Sequence, residues 1–178
     1  MSEIFTIAVF SENKAGLLQR VTSSFTRRKI NIESLTVSES EVHGIHRYTI
    51  VVDSLDEDGV IKVCAALEKQ VDVQKAFYYR DTDIIYREIA MYKVPAAAMA
   101  EGSPARAVIE KHDARILSEE AEYSVIQKTG VREQTTALFD DLQPHGLLEF
   151  VRSGRVAISK PMKELKTYLE ELEVASRH

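Results

Sequence analysis

Ser11-Glu12-Asn13-Lys14-Ala15-Gly16-Leu17-Leu18 is the stretch on which the fold turns, because there the chain changes from one periodicity to another. Before it, Glu3 to Phe10 is rich in β-formers and reads as a strand. After it, Leu17, Val21 and Phe25 recur at four-residue spacing, with Leu18 beside them and Arg20, Arg27 and Arg28 on the polar side. That pattern predicts an amphipathic helix lying on a sheet. Where a strand runs into a helix, exposed backbone N–H groups and the positive end of the helix dipole can receive a carboxylate. Gly16 allows close backbone approach to a ligand, and the Asn13 amide can donate to a carboxylate and accept from an ammonium group. An amino acid carries both charges together. The same residues equally suit an ordinary junction, since Asn caps helices and Gly is common in turns.

Outward from this junction, Ile32 to Glu39 and His46 to Asp53 read as a hairpin around the turn EVHG, Glu41 to Gly44. Helical spacing returns from Asp56 to Lys69 through Val60, Cys64, Leu67 and Val71, and Val73 to Tyr79 is again strand-like, giving the order βαββαβ. From about Tyr86 a similar order restarts: strand Glu88 to Val94, helix Pro104 to His112, strands Ala114 to Ser118 and Glu122 to Lys128, and helix Arg132 to Leu142. Strands Leu147 to Arg152 and Val156 to Ser159 follow, then a charged helix from Lys163 to Glu173. Two related domains are expected, residues 1–80 and 84–178, joined by the polar segment Arg80 to Asp83. Pro95 to Pro104, PAAAMAEGSP, reads as a mobile loop. Asn31 precedes the second strand. If the end of the first strand and the start of the second lie near each other, Asn13 and Asn31 face a shared crevice; a plain turn role for Asn31 is the other reading.

The 178 residues, 44% of them hydrophobic, suffice for a real core, and the mixture of helix and strand signals gives an α+β class. With 23 Lys and Arg against 28 Asp and Glu the net charge is −5, which argues against nucleic acid as the main partner. No apolar run approaches the ~20 residues that span a bilayer. The single cysteine excludes an intramolecular disulfide, and the start MSEIFTIAVFSE has no basic leader before a long apolar segment, so a cytoplasmic setting is expected. Cys64 lies on the apolar side of a helix and reads as a packed thiol. His43 and His46 lack further metal ligands. Arg27, Arg28 and Lys29 suit the negative end of a helix dipole.

Asn13-x-x-Gly16-Leu17-Leu18 together with Asn31-Ile32-Glu33-Ser34-Leu35 resembles the ACT domain of acetohydroxyacid synthase small subunits. Further matches follow in order at Arg47-Tyr48-Thr49-Ile50, Val71-Asp72-Val73, Arg87-Glu88-Ile89, Tyr123-Ser124-Val125 and Arg152-Ser153-Gly154, so the likeness covers most of the chain. Ala96 to Leu148 matches mainly in pattern. The resemblance implies two ferredoxin-like βαββαβ domains, the first an ACT domain with an antiparallel sheet and helices on one face. It implies a homodimer through the ACT domains, binding valine or a related branched-chain amino acid at the dimer interface. It also implies a subunit without synthase activity of its own, which stimulates a large catalytic subunit and confers feedback inhibition on it. Thiamine diphosphate, magnesium and FAD belong to that catalytic subunit. The ligand contacts carry over to Asn13, Gly16 and Asn31, with Ala15, Leu17 and Ile32 flanking them. One departure is visible: Lys29-Ile30-Asn31 stands where a glycine usually precedes the aromatic residue and Asn. A Lys in a left-handed cap costs on the order of 1 kcal/mol, so the helix is expected to end by a different geometry.

A free-standing amino-acid sensor with another partner is the alternative reading. An acylphosphatase-like enzyme would need an Arg in the first loop, which holds Lys14 instead, and an RNA-binding module would need Gly and aromatic residues that the Arg47 to Asp53 strand lacks.

Overall fold

A computed structural model describes residues 3–160 of the chain. The helix expected from Lys163 to Glu173 lies outside the described residues. The described residues form two compact units. One comprises the chain up to Ile85 together with Ala157–Lys160, and the other Tyr86–Val156.

In the first unit the order is β1 (Glu3–Glu12), α1 (Leu17–Thr26), β2 (Ser34–Glu39), β3 (Ile45–Leu55), α2 (Glu57–Glu68) and β4 (Val73–Arg80). The strands form an antiparallel sheet in the order β2-β3-β1-β4, with Phe10 opposite Arg47, Leu35 opposite Ile50 and Ile7 opposite Tyr78. Because side chains alternate along a strand, Phe5, Ile7 and Val9 share a face with Tyr48, Ile50 and Val52. Both helices pack on that face, through Leu17, Val21 and Phe25 of α1 and Val60, Val63, Cys64 and Leu67 of α2. Ala8 and Phe10 are buried on the opposite face beside Val42, Ile45, Phe77 and Tyr79, so β1 shows continuous burial instead of alternation.

Leu18, beside the stripe of α1, is half-exposed. One apolar residue assigned to a helical stripe lies elsewhere: Val71 is 92% exposed. Helix α2 closes at Glu68, leaving Val71 in the turn before β4, where the helical spacing that included it no longer applies.

The end of α1 settles the question raised by Lys29. Ile30 N–H donates to the Phe25 carbonyl at 3.1 Å and Lys29 N–H to that of Thr26 at 3.0 Å, the paired bonds of a Schellman closure. This closure requires a left-handed residue, and Lys29 supplies it at φ 57°. The helix therefore ends by the very geometry its Lys disfavours, because the closure also satisfies two carbonyls of the last turn. Lys29→Gly is expected to raise stability by about 0.5–1 kcal/mol, the left-handed strain less the extra chain entropy of glycine. Urea titration of the two proteins reads this directly.

The second unit repeats the topology with β5 (Ile84–Pro95), α3 (Pro104–Lys111), β6 (Arg115–Glu119), β7 (Tyr123–Gly130), α4 (Arg132–Leu142) and β8 (Glu149–Arg152). The strand order is β6-β7-β5-β8, the same permutation, and β9 (Val156–Ser159) also pairs with β5. Both units are thus ferredoxin-like βαββαβ folds. Even the left-handed closure recurs: Asp113, at φ 49°, ends α3 with Ala114 N–H on the Ile109 carbonyl at 3.0 Å. Part of the segment expected to be a mobile loop is ordered as a 3-10 turn, Ala96–Met99, with Met99 buried in the core and its carbonyl accepting from Arg106 Nε at 2.7 Å. The chain does not divide simply in sequence order. Arg47 Nη2 donates to the Ala157 carbonyl at 2.7 Å, and Lys160 N–H to that of Asp83 at 2.9 Å, returning Ala157–Lys160 to the first unit.

Candidate functional site

The junction between β1 and α1 is an open helix end. Gly16 is the N-cap residue of α1, with φ 80° and ψ −5°, and no side chain caps the helix. Helices α2 and α3 are capped by side chains, Asp56 Oδ1 accepting from Gly59 N–H at 2.8 Å and Ser103 Oγ from Arg106 N–H at 3.3 Å, whereas the N-cap of α4, Val131, offers no side-chain cap. Helix α3 holds the place in the second unit that α1 holds in the first, so only the first unit leaves that end without a side-chain acceptor. A Cβ built on Gly16 would meet nothing within 4 Å, so the space beside Gly16 is open; of the first-turn N–H groups, that of Leu17 is taken by the Lys14 carbonyl at 3.3 Å. Asn13, Ala15 and Gly16 are all exposed. Leu17, expected to flank a ligand, has its side chain fully buried, which leaves only its backbone to face one.

Asn31 and Ile32 lie elsewhere. Asn31 is exposed, with Nδ2 donating to Glu33 Oε1 at 2.6 Å, and Ile32 packs partly buried against the first core. The shared crevice expected for Asn13 and Asn31 does not exist within one chain. Asn13 N–H bonds to the Gly44 carbonyl at 3.1 Å and Glu33 N–H to the Val51 carbonyl at 2.8 Å, placing the two segments at opposite ends of β3. Those anchors stand seven positions apart along the chain, roughly 20 Å or more of extended strand. The cause is strand direction: β1 and β2 both run antiparallel to β3 and hence parallel to each other, so the end of β1 and the start of β2 fall at opposite ends of the strands.

Charged side chains frame the open end. Lys14 Nζ lies 2.7 Å from Glu12 Oε2 and 2.8 Å from Asp72 Oδ1, and Arg20 Nη2 pairs with Asp72 Oδ2. Asp72 side chain is only 10% exposed, and its carbonyl accepts from Glu12 N–H at 3.0 Å. The hydrogen bonds from Lys14 first, then from Arg20, hold the Asp72 carboxyl below its usual pKa, and those to Asp72 and Glu12 hold Lys14 above its own. By linkage, the Asp72 contribution to stability is fully present above the ordinary carboxyl pKa and is lost as pH falls below it through the lowered value of the folded state. Sequence reading assigned Asp72 no role, because its partners stand 58 and 52 residues away and only the fold joins them.

Other singled-out residues have structural places. Cys64 is buried, and that burial pushes its thiol up to about 12, far from a reactive thiolate. Arg28 Nη1 donates to the Ser24 carbonyl at 2.9 Å near the end of α1. Among the described residues no group of three or more His, Cys, Asp and Glu could hold a metal, and no helix is long and apolar enough to cross a membrane.

Comparison with known proteins gives one consistent result. Residues 7–75 match the model of the acetohydroxyacid synthase small subunit-like ACT domain, and residues 87–161 that of the small subunit of acetolactate synthase, the same enzyme under its other name. The acetolactate synthase small subunit of Bacillus subtilis is 34% identical over 160 residues, covering 90% of this chain and 91% of its own. That of Mycolicibacterium smegmatis is 35% identical over 155 residues, covering 87% and 90%. The crystal structure of the Thermotoga maritima small subunit superposes with a TM-score of 0.80 at 26% identity, covering 90% of this chain and 99% of that one. Carried by both domains and nearly the full length of its relatives, the likeness leaves one conclusion: the chain belongs to the acetolactate synthase small-subunit family.

Proposed function

We propose that this chain is a cytoplasmic regulatory subunit that binds valine or a related branched-chain amino acid between the ACT domains of two copies, and thereby feedback-inhibits the catalytic subunit it also stimulates. The observation that carries the reading is the uncapped, glycine-started end of α1 beside Asn13, open to solvent and suited to an amino-acid carboxylate. The separation of Asn13 from Asn31 supports a ligand held between copies. Strand β2 is an edge of the sheet, and antiparallel pairing of two β2 strands about a two-fold axis reverses one sheet against the other. The Asn31 end of one copy then stands beside the Asn13 end of the next. Thiamine diphosphate, magnesium and FAD act on the catalytic subunit in this reading, and this chain alone makes no acetolactate.

Calorimetry with valine, leucine and isoleucine tests it. Asn31→Ala should lose a hydrogen bond to a charged group, roughly 1.5–3 kcal/mol, hence about tenfold or more in affinity, with the melting temperature unchanged. Asn13→Ala should behave alike. Mixing the two variants and allowing subunits to exchange should restore about a quarter of the sites, because each mixed dimer pairs one intact site with one doubly damaged one. No recovery on mixing would place both residues in one copy's site, or neither in any. Failure to co-purify with a larger catalytic chain would favour a free-standing sensor.

A further inference from the structure

Three segments meet at Asp72. Its carboxylate takes Lys14 Nζ, from the candidate loop itself, at 2.8 Å and Arg20 Nη2, from the first turn of α1. Its carbonyl takes the N–H of Glu12, the last residue of β1. Two residues earlier in the same turn, Gln70 Nε2 donates to the Arg20 carbonyl at 3.3 Å and to Ser24 Oγ at 2.9 Å. The strand leading into the Asn13–Gly16 loop, the loop and the helix leading out of it are therefore all tied to the turn between α2 and β4. The loop has few other ties: Asn13 N–H reaches the Gly44 carbonyl and Leu17 N–H the Lys14 carbonyl, while no side chain closes the helix end.

We propose that Asp72 is the positioning residue of the effector site: by gripping Lys14 and Arg20 together it holds the first turn of α1 in the orientation in which its N–H groups beyond Leu17 meet the effector carboxylate. This rests on the effector reading above. Two cations stand close to the place assigned to the carboxylate, but Asp72 occupies them. Both stay about half exposed, but their charge is paired with Asp72 and, for Lys14, with Glu12 as well, so recognition is left to N–H groups. That arrangement suits a zwitterion with an apolar side chain, and it gives little advantage to dianionic amino acids such as glutamate or aspartate. Preorganised donors of this kind gain affinity by removing the ordering that binding would otherwise require.

The test is valine calorimetry on the full-length protein, with thermal melting in parallel. Asp72→Asn should bind valine about tenfold more weakly, and Asp72→Glu should recover part of the loss. Arg20→Met should weaken binding about threefold, yet cost little when added to Asp72→Asn, since both act through one contact. If Asp72→Asn folds poorly, Lys14→Met and Arg20→Met, each leaving Asp72 one cation, carry the test. Unchanged valine affinity in these variants, with or without a lower melting temperature, overturns the proposal and leaves the ion pairs a stabilising role only. Additive losses for Arg20→Met and Asp72→Asn overturn it as well. A wild-type protein that binds none of valine, leucine and isoleucine sinks the effector reading first, and this one with it.

Discussion

Arg152→Ala is expected to destabilise the second unit by about 3–5 kcal/mol, the usual cost of stranding a buried charge. Glu88 is a carboxylate on a central strand with its side chain 8% exposed. Arg152, on the neighbouring edge strand β8, places Nε 2.9 Å from Glu88 Oε1, while Thr135 Oγ1 donates to the same oxygen from helix α4. Arg152 also donates from Nη2 to Thr136 Oγ1 at 2.8 Å and lies over the Phe150 ring at 5.1 Å. Removing it leaves Glu88 Oε1 with the Thr135 hydroxyl as its side-chain partner among the described residues. The gross attraction matters less than the desolvation already incurred, so replacing both charges together, as Glu88→Gln with Arg152→Met, should cost less than Arg152→Ala alone. Urea unfolding of the three variants measures the difference. A double variant weaker than Arg152→Ala would show that the pair is worth its full Coulomb energy and contradict this account.

The largest functional effect is expected at Gly16. Gly16→Asp should lower valine affinity roughly a hundredfold, about 2.7 kcal/mol, and so abolish feedback inhibition at concentrations that inhibit the wild-type complex. Two causes act together. The new side chain fills the space that is empty above the helix end, and its charge repels the incoming carboxylate. The fold should survive, because an added Cβ meets nothing within 4 Å and Asp tolerates the left-handed φ of 80° better than most residues. Gly16→Asn separates the causes, having nearly the same volume and strain without the charge, and should lose about tenfold. Titrating each variant into the catalytic subunit, measuring the rate at saturation and then adding valine gives both readouts. Stimulation should persist while inhibition is lost, if sensing lies between ACT domains and stimulation uses another surface. Inhibition at the wild-type valine concentration would show that the pocket is elsewhere; loss of both effects in a folded variant would refute the separation.

The amino-acid sequence by itself determined what depends on neighbours a few residues apart. Helix α4 spans Arg132 to Leu142 and β9 spans Val156 to Ser159, as their periodicity and flanking residues require, and the βαββαβ order is readable twice. The open helix end at Gly16 is equally local, since a glycine at the N-cap leaves no side chain to close it. Its likeness to a known family was also legible, because Asn-Ile-Glu-Ser-Leu and the Asn13 to Leu18 pattern are contiguous.

Tertiary structure alone decided the rest. The distance between Asn13 and Asn31 follows from strand order and direction, which are set by how sheet and helices bury their apolar faces and not by the short segment joining them. Lys29 adopts a left-handed conformation against its own preference because the closing hydrogen bonds of α1 and the packing of Ile30 against the core outweigh a strain on the order of 1 kcal/mol. Val71, which continues the helical spacing of Val60, Cys64 and Leu67, is exposed because α2 has already ended at Glu68. Asp72 acquires its partners only when the turn after α2 meets the start of α1, an encounter between residues more than fifty positions apart that no local pattern encodes. Local propensities choose the elements; the burial of their apolar faces chooses which ends of them become neighbours, and in this protein that choice separates the two halves of the proposed site.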